Sequence, residues 1–362
     1  MKFRVIAVAL ITLISGTQLF AQEKKLTTYT DIRLAYFGNT DEATGLGHGM
    51  NQESADFFGV RLRSGITYRF NENHSFTARL ATQLRDDTDE IKFTIKADGG
   101  GIAPGSISFD EAYYQFRNEN STLKIGRFQE SVNVSSNAGR SSFRFQSNVI
   151  FIHWSDGIFY QRNLKNGWLG EFIGEYQPKD AVTFAYRSGM DFAENDHNFT
   201  SYLGLENRER DNMNFIQKGF GFFYAPASFT KNGTDYDDFI GIMSRAVYDL
   251  PGIDLLQGGS FRVAGELSQN LNADLSEGTS AIISAGVNRF ANKHELMVEF
   301  SRTDRFWLTA STYNPSTDEI EIRWRYRATN KLWFDARWRA RVNDDDTIPY
   351  AYSTFIRANY TL

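Results

Sequence analysis

From Leu332 to Val342 the chain alternates strictly, with Leu332, Phe334, Ala336, Trp338, Ala340 and Val342 at even positions and Trp333, Asp335, Arg337, Arg339 and Arg341 at odd ones. Successive side chains of a strand point to opposite faces, so one face of this segment is apolar and the other charged. The preceding segment repeats the arrangement, setting Ile320, Ile322, Trp324, Tyr326 and Ala328 against Glu319, Glu321, Arg323, Arg325 and Arg327. An early segment does the same, with Phe58, Val60, Leu62, Ile66, Tyr68 and Phe70 against Arg61, Arg63, Thr67 and Arg69. Helical spacing would mix these residues on every face.

Followed along the chain, this period predicts strands beginning near Thr28, Phe57, Ser75, Ile107, Thr122, Phe151, Gly167, Ala181, Asn214, Tyr236, Ser260, Ser280, His294, Asp318, Lys331 and Tyr350. The expectation is about 16 strands, within a range of about 14 to 18. The range arises between Tyr186 and Phe215, where a long polar stretch falls in place of a short turn and Phe199 to Leu205 reads as an additional strand. No Pro/Ser-rich linker or change of composition divides the series, so one domain is expected.

Connections alternate in length. Short turns of similar wording recur, as in Tyr68 to His74, Phe116 to Ser121, Arg289 to His294 and Tyr326 to Lys331, each with an aromatic residue at the strand end and Asn in the turn. Between them lie longer polar stretches such as Gly38 to Ala55, Asp86 to Ser106, Glu130 to Asn148 and Asn270 to Thr279. Short connections at one end and long ones at the other predict an all-β protein, a transmembrane antiparallel up-and-down β-barrel. A soluble sandwich or propeller is the competing architecture. The uncharged stripe decides between them, because turning Arg323, Arg325, Arg337 or Arg339 toward lipid would cost about 2–4 kcal/mol for each one near the midplane. The arginines therefore face inward.

The N-terminus reads as an address. Lys2 and Arg4 precede the apolar stretch Val5 to Ile14, and Leu19-Phe20-Ala21 leads into the polar Gln22 to Lys25. Residues 1–21 are expected to be a secretory signal peptide and 22–362 the barrel domain. The chain has 362 residues, 39 Lys+Arg against 44 Asp+Glu, and no Cys. Disulfides, thiol catalysis and Cys-ligated metals are thereby excluded. The acidic balance argues against nucleic acid as a partner.

By parity the lumen receives Arg61, Arg63, Arg69, Arg79, Arg85, Arg245, Arg262, Arg323, Arg325, Arg327, Arg337, Arg339, Arg341 and Arg357, against a smaller acidic set that includes Glu111, Glu299, Glu319, Glu321 and Asp335. Much of the negative charge sits instead in loops, at Asp86 to Glu90, Asp237-Asp238 and Asp344 to Asp346. A wall lined with one sign of charge concentrates counter-ions. A water-filled channel with a modest preference for anions or acidic solutes is expected; the alternative is a neutral lattice of paired charges that only stiffens the barrel. The histidines lie mainly in turns, apart from His153 two residues before Ser155, and no catalytic constellation emerges, so no enzyme is expected. The acidic loops lack the spacing of a defined calcium loop, and neither metal nor cofactor is expected.

Phe109-Asp110-Glu111-Ala112-Tyr113-Tyr114-Gln115-Phe116, followed by Leu123-Lys124-Ile125-Gly126-Arg127-Phe128, resembles bacterial outer-membrane porins, closest to the phosphate-selective porin and alginate-export groups. The final strand, with Ile356, Ala358, Tyr360 and Leu362 on one face, fits the same pattern, although such chains usually end in Phe or Trp. The resemblance implies a Gram-negative outer membrane, contact with its lipid and lipopolysaccharide, insertion by the barrel-assembly machinery, and a homotrimer. It also implies that the loop from Glu130 to Asn148 folds inward as a constriction with Glu130, Arg140 and Arg144, the alternatives being an extracellular loop or a subunit contact. Two other functions stay open: a dedicated exporter or importer of an acidic oligosaccharide, and a plugged structural or adhesion barrel.

Overall fold

The computed structural model describes residues 25–39, 57–86, 88, 92–93, 105–129, 155–177, 198–231, 235–250, 259–308, 315–343 and 350–362. Residues 1–21, expected to be a signal peptide, and the loop carrying Glu130, Arg140 and Arg144 lie outside these, as do His153 and Asp344 to Asp346. In chain order the strands are β1 (Leu26–Asn39), β2 (Phe57–Arg69), β3 (His74–Arg85), β4 (Lys92–Phe93), β5 (Ser106–Arg117), β6 (Ser121–Phe128), β7 (Ser155–Asn163), β8 (Trp168–Gln177), β9 (Asn198–Asn207), β10 (Phe215–Thr230), β11 (Tyr236–Leu250), β12 (Ser260–Asn270), β13 (Thr279–Phe290), β14 (His294–Thr303), β15 (Thr317–Arg327), β16 (Leu332–Asn343) and β17 (Tyr350–Thr361). The two-residue β4 pairs in parallel with β5 alone. The other sixteen form the wall, each antiparallel to its neighbours, and β1 closes it by pairing with both β2 and β17. Closure leaves none of the sixteen described wall strands at an edge, which a sheet in hydrocarbon requires.

The irregularity between Tyr186 and Phe215 resolves in favour of the segment that reads as additional. That segment is β9, paired with β8 and β10, while the candidate strand near Ala181 lies outside the described residues. With β9 in this place, residues 208–214 become a short connection and the alternation of short and long ends is restored. The short turns use the expected chemistry. Asn71 Oδ1 accepts from the backbone N–H groups of Asn73 and His74, and Asn118 Oδ1 from those of Asn120 and Ser121. In the turn after β15 the acceptor is Thr329 Oγ1, bound by Lys331 N and Leu332 N, in place of Asn330. Backbone crowding fixes one further point: at Gly157 a Cβ would stand 1.9 Å from Gly174 O, so no larger residue fits between β7 and β8 there.

Burial is inverted relative to a soluble sheet. Leu267 is 58 % exposed, whereas its neighbours Glu266 and Ser268 are 5 % and 2 % exposed. The same holds along β14 to β17, where Val298, Phe300, Ile320, Ile322, Trp324, Trp338 and Ile356 are exposed on the outer face. At the short-turn end His294, Trp324 and Tyr326 stack on the outside, and Trp324 Nε1 donates to His294 Nδ1 at 3.3 Å. Amphipathic rings at the end of an apolar belt are the girdle of a barrel at the membrane–water boundary.

Candidate functional site: the inner wall

Six contiguous strands, β15, β16, β17, β1, β2 and β3, carry most of the inward arginines on one arc of the interior; Arg245 on β11 and Arg262 on β12 lie apart from it, ion-paired with Glu266 and Asp249. Arg61, Arg63, Arg79, Arg323, Arg337, Arg357, Glu319, Glu321 and Asp335 are buried on the arc. Arg325, Arg339 and Arg341 are half-buried, and Arg69 and Arg327 are exposed toward the short-turn end.

Most of these arginines take part in ion pairs. Direct cross-strand partners Glu319 and Arg341, Glu321 and Arg339, and Asp335 and Arg325 join β15 to β16 through ion pairs. Glu295 on β14 accepts from Arg325 Nη1 at 3.1 Å and from Arg327 Nη2 at 3.0 Å. Opposite charges facing one another across a strand pair stabilise the register.

Pairing is unequal, however. Asp335 meets Arg337 Nε at 2.7 Å, Arg323 Nε at 3.1 Å, Arg325 Nη2 at 3.4 Å and Arg357 Nη2 at 3.5 Å. One carboxylate is shared by four guanidiniums. Arg323 and Arg337 are themselves directly opposite, as are Arg33 and Arg61 across β1 and β2, so like charges are held together that separate strands would repel. Arg61 Nη2 donates to Asp31 Oδ1 at 2.9 Å, and Arg33 Nε donates to Asn359 Oδ1, an uncharged acceptor. Arg63 Nη2 and Arg337 Nη2 are buried with no hydrogen-bond partner. Aromatic rings take up part of the charge. Arg325 and Arg357 lie 4.9 and 4.6 Å from the centroid of Trp333, and Arg337 and Arg357 lie 5.5 and 5.4 Å from that of Phe355. The wall is not uniformly basic, since Glu299 stands directly opposite Glu321.

Sequence parity missed several of these groups. Asp110 and Glu111 are adjacent, so a regular strand would send one of them outward. A register shift at Arg79/Leu80 lets both reach Arg79, whose guanidinium binds Asp110 through two 2.9 Å hydrogen bonds and lies 3.0 Å from Glu111 Oε1. Arg127 of the porin-like motif is on the outer side, where it forms a bidentate pair with Asp156 at 2.8 Å. Asp31, Arg33 and Glu295 alternate with outward apolar residues and were legible by the rule that found the others.

The opposite arc, β6 to β11, is lined differently. Phe128, Phe159, Ile173, Tyr202, Phe223, Phe239 and Met243 form a buried apolar cluster inside the wall. The interior therefore has a side dominated by arginines and a side where an apolar cluster sits beside buried Glu175 and Arg245.

No family model matches the chain, and no curated protein matches it in sequence. Its fold is similar to solved structures. OprB of Pseudomonas putida superposes with a TM-score of 0.63 at 9 % identity, over 96 % of this chain and 97 % of that one. A variant of the porin of Rh. blastica gives 0.54 at 11 % identity, over 93 % and 100 %. OmpT, an outer membrane protein of Vibrio cholerae, in a form lacking loop L8, gives 0.51 at 12 % identity, over 93 % and 99 %. At such identities the likeness is one of fold. The closed sixteen-stranded wall and its apolar belt give this chain the porin fold and make it an outer-membrane β-barrel.

Proposed function

We propose that the protein is a porin, a water-filled channel for passive diffusion of small hydrophilic solutes with a modest preference for anions or acidic solutes. In this reading residues 1–21 direct export, residues 22–362 form the barrel, and Arg61, Arg63, Arg69, Arg79, Arg323, Arg325, Arg327, Arg337, Arg339, Arg341 and Arg357 line the path together with Glu319, Glu321 and Asp335. Outer-membrane lipid and lipopolysaccharide surround it, the barrel-assembly machinery inserts it, and a homotrimer is its assembled state. It is a channel and not an enzyme.

The observation that supports anion preference is the sharing of Asp335 by Arg323, Arg325, Arg337 and Arg357. Paired charges cancel at a distance, but four guanidiniums around one carboxylate leave a positive remainder. In a low-dielectric wall that remainder acts on a permeating ion more strongly than it would in bulk water.

Diffusion itself is tested by liposome swelling. Vesicles carrying the folded barrel are expected to swell in isotonic solutions of small neutral sugars and faster in those of small acidic ones. Absence of swelling from barrels shown to be folded would favour the plugged structural barrel, a reading supported by the burial of Phe223 and Phe239 inside the wall.

A further inference from the structure

Three of the residues in the interior apolar cluster, Phe306, Trp307 and Leu308, do not come from wall strands. Phe306 and Trp307 belong to the segment that follows β14 at the long-connection end, and both are buried, Trp307 completely. The backbone is tied on both sides of the connection between β12 and β13. Asp304 N donates to Thr279 O at 2.9 Å, and Thr279 N returns a bond to Asp304 Oδ2 at 3.1 Å. Phe306 N donates to Glu277 O at 2.7 Å, while Asn270 Nδ2 donates to Phe306 O at 3.1 Å. Such a strap does not swing freely.

The rings then meet the inner face of β10 and β11. Phe306 packs on Phe229 with centroids 5.7 Å apart, and Trp307 meets Phe239 edge-on at 5.4 Å. Gly241, on the inner face of β11, leaves room for the indole: a Cβ there would stand 3.3 Å from Trp307 Cη2. An apolar surface offers a hydrated ion no replacement for its water, so it narrows an aqueous path without lining it. The arginine arc lies on the other strands.

We infer that Phe306 and Trp307 form a fixed steric wedge that sets the size limit of the channel and confines permeating solutes to the arginine side. The inference rests on the porin reading for its readout. It differs from the constriction expected of the loop from Glu130 to Asn148, because the wedge is supplied by the connection between β14 and β15.

The test compares the wild type with the double variant Phe306→Ala/Trp307→Ala in planar bilayers, using single-channel conductance, the reversal potential in a KCl gradient, and exclusion of polyethylene glycols of graded size. Conductance is expected to rise as the constriction widens. Larger polymers should enter, and the reversal potential should move toward zero as ions pass farther from the guanidiniums. Leu275→Ala, at an exposed position in the neighbouring connection, should change none of these. Should the double variant fail to fold, Trp307→Leu keeps an apolar contact and should shift conductance and cut-off in the same direction by less. A conducting wild type with unchanged conductance and cut-off in the folded variant overturns the wedge and leaves the porin reading standing. A closed wild type with an open variant supports the wedge as a plug and sinks the open-pore reading, and two closed barrels overturn both.

Discussion

Replacing Asp335 by alanine is expected to destabilise the barrel by about 3–5 kcal/mol, the usual result of removing one partner from a buried ionic group. Asp335 is 1 % exposed, and its two oxygens are the shared acceptor for Arg323, Arg325, Arg337 and Arg357. Arg325 keeps Glu295, at 3.1 Å, as a second partner. Arg337 and Arg357 retain the rings of Phe355 and Trp333, which attract a cation but do not neutralise it. Urea unfolding of refolded barrels in detergent measures the loss. The same variant should conduct with a reversal potential displaced further toward chloride, because the guanidiniums lose their common counter-charge. Glu72→Ala, in the exposed turn after β2, is the comparison and should stay within about 0.5 kcal/mol of the wild type.

The second large effect is expected on the other face. Val298→Arg, in the middle of β14, should cost about 2–4 kcal/mol when the barrel is folded into bilayers, as a cation facing hydrocarbon near the midplane does. Val298 is 43 % exposed and is the cross-strand partner of Ile322 and Ala285. At an exposed site of a water-soluble sheet the same substitution would be close to neutral. Val298→Leu adds bulk without charge and should fold like the wild type. The two variants together separate a lipid-facing belt from a solvent-facing one. Equal stability of Val298→Arg and wild type in bilayers would contradict the membrane assignment.

The inward face of the arginines on β15 and β16 was legible in the sequence because an unpaired charge facing hydrocarbon is costly; Arg127 faces outward only as a bidentate pair with Asp156. Period-two alternation in Glu319 to Ala328 and Leu332 to Val342 assigned the inward arginines and carboxylates of β15 and β16. Alternation has no information about which strand lies beside which when the chain closes. Arg33 and Asn359 are 326 positions apart and meet only because β1 pairs with β17. The like-charge opposition of Arg33 and Arg61 likewise depends on the register of β1 against β2.

Two further features escaped for local reasons. The shift at Arg79/Leu80 breaks parity, which is why Asp110 reaches the interior beside Glu111. In β10 the run Phe220, Phe222 and Phe223 puts aromatic residues on both faces, so a binary pattern is silent about the apolar side of the lumen. That side changes the account of selectivity. A basic wall selects weakly in a wide pore, where ions pass beyond the reach of its field, and more strongly when solutes are held against it. In the proposed channel the interior cluster and the segment from Asp304 to Leu308 are the elements that would confine solutes to that wall.

The most direct test of anion selection is the reversal potential of single channels formed by the mature protein, refolded in detergent and inserted into planar bilayers under a steep KCl gradient. The proposed porin function predicts discrete open channels whose zero-current potential lies on the chloride side, and a smaller displacement after Arg337→Glu. A potential on the potassium side, or one that does not move when Arg337 is reversed, would show that the arginine lattice braces the wall without selecting what passes it.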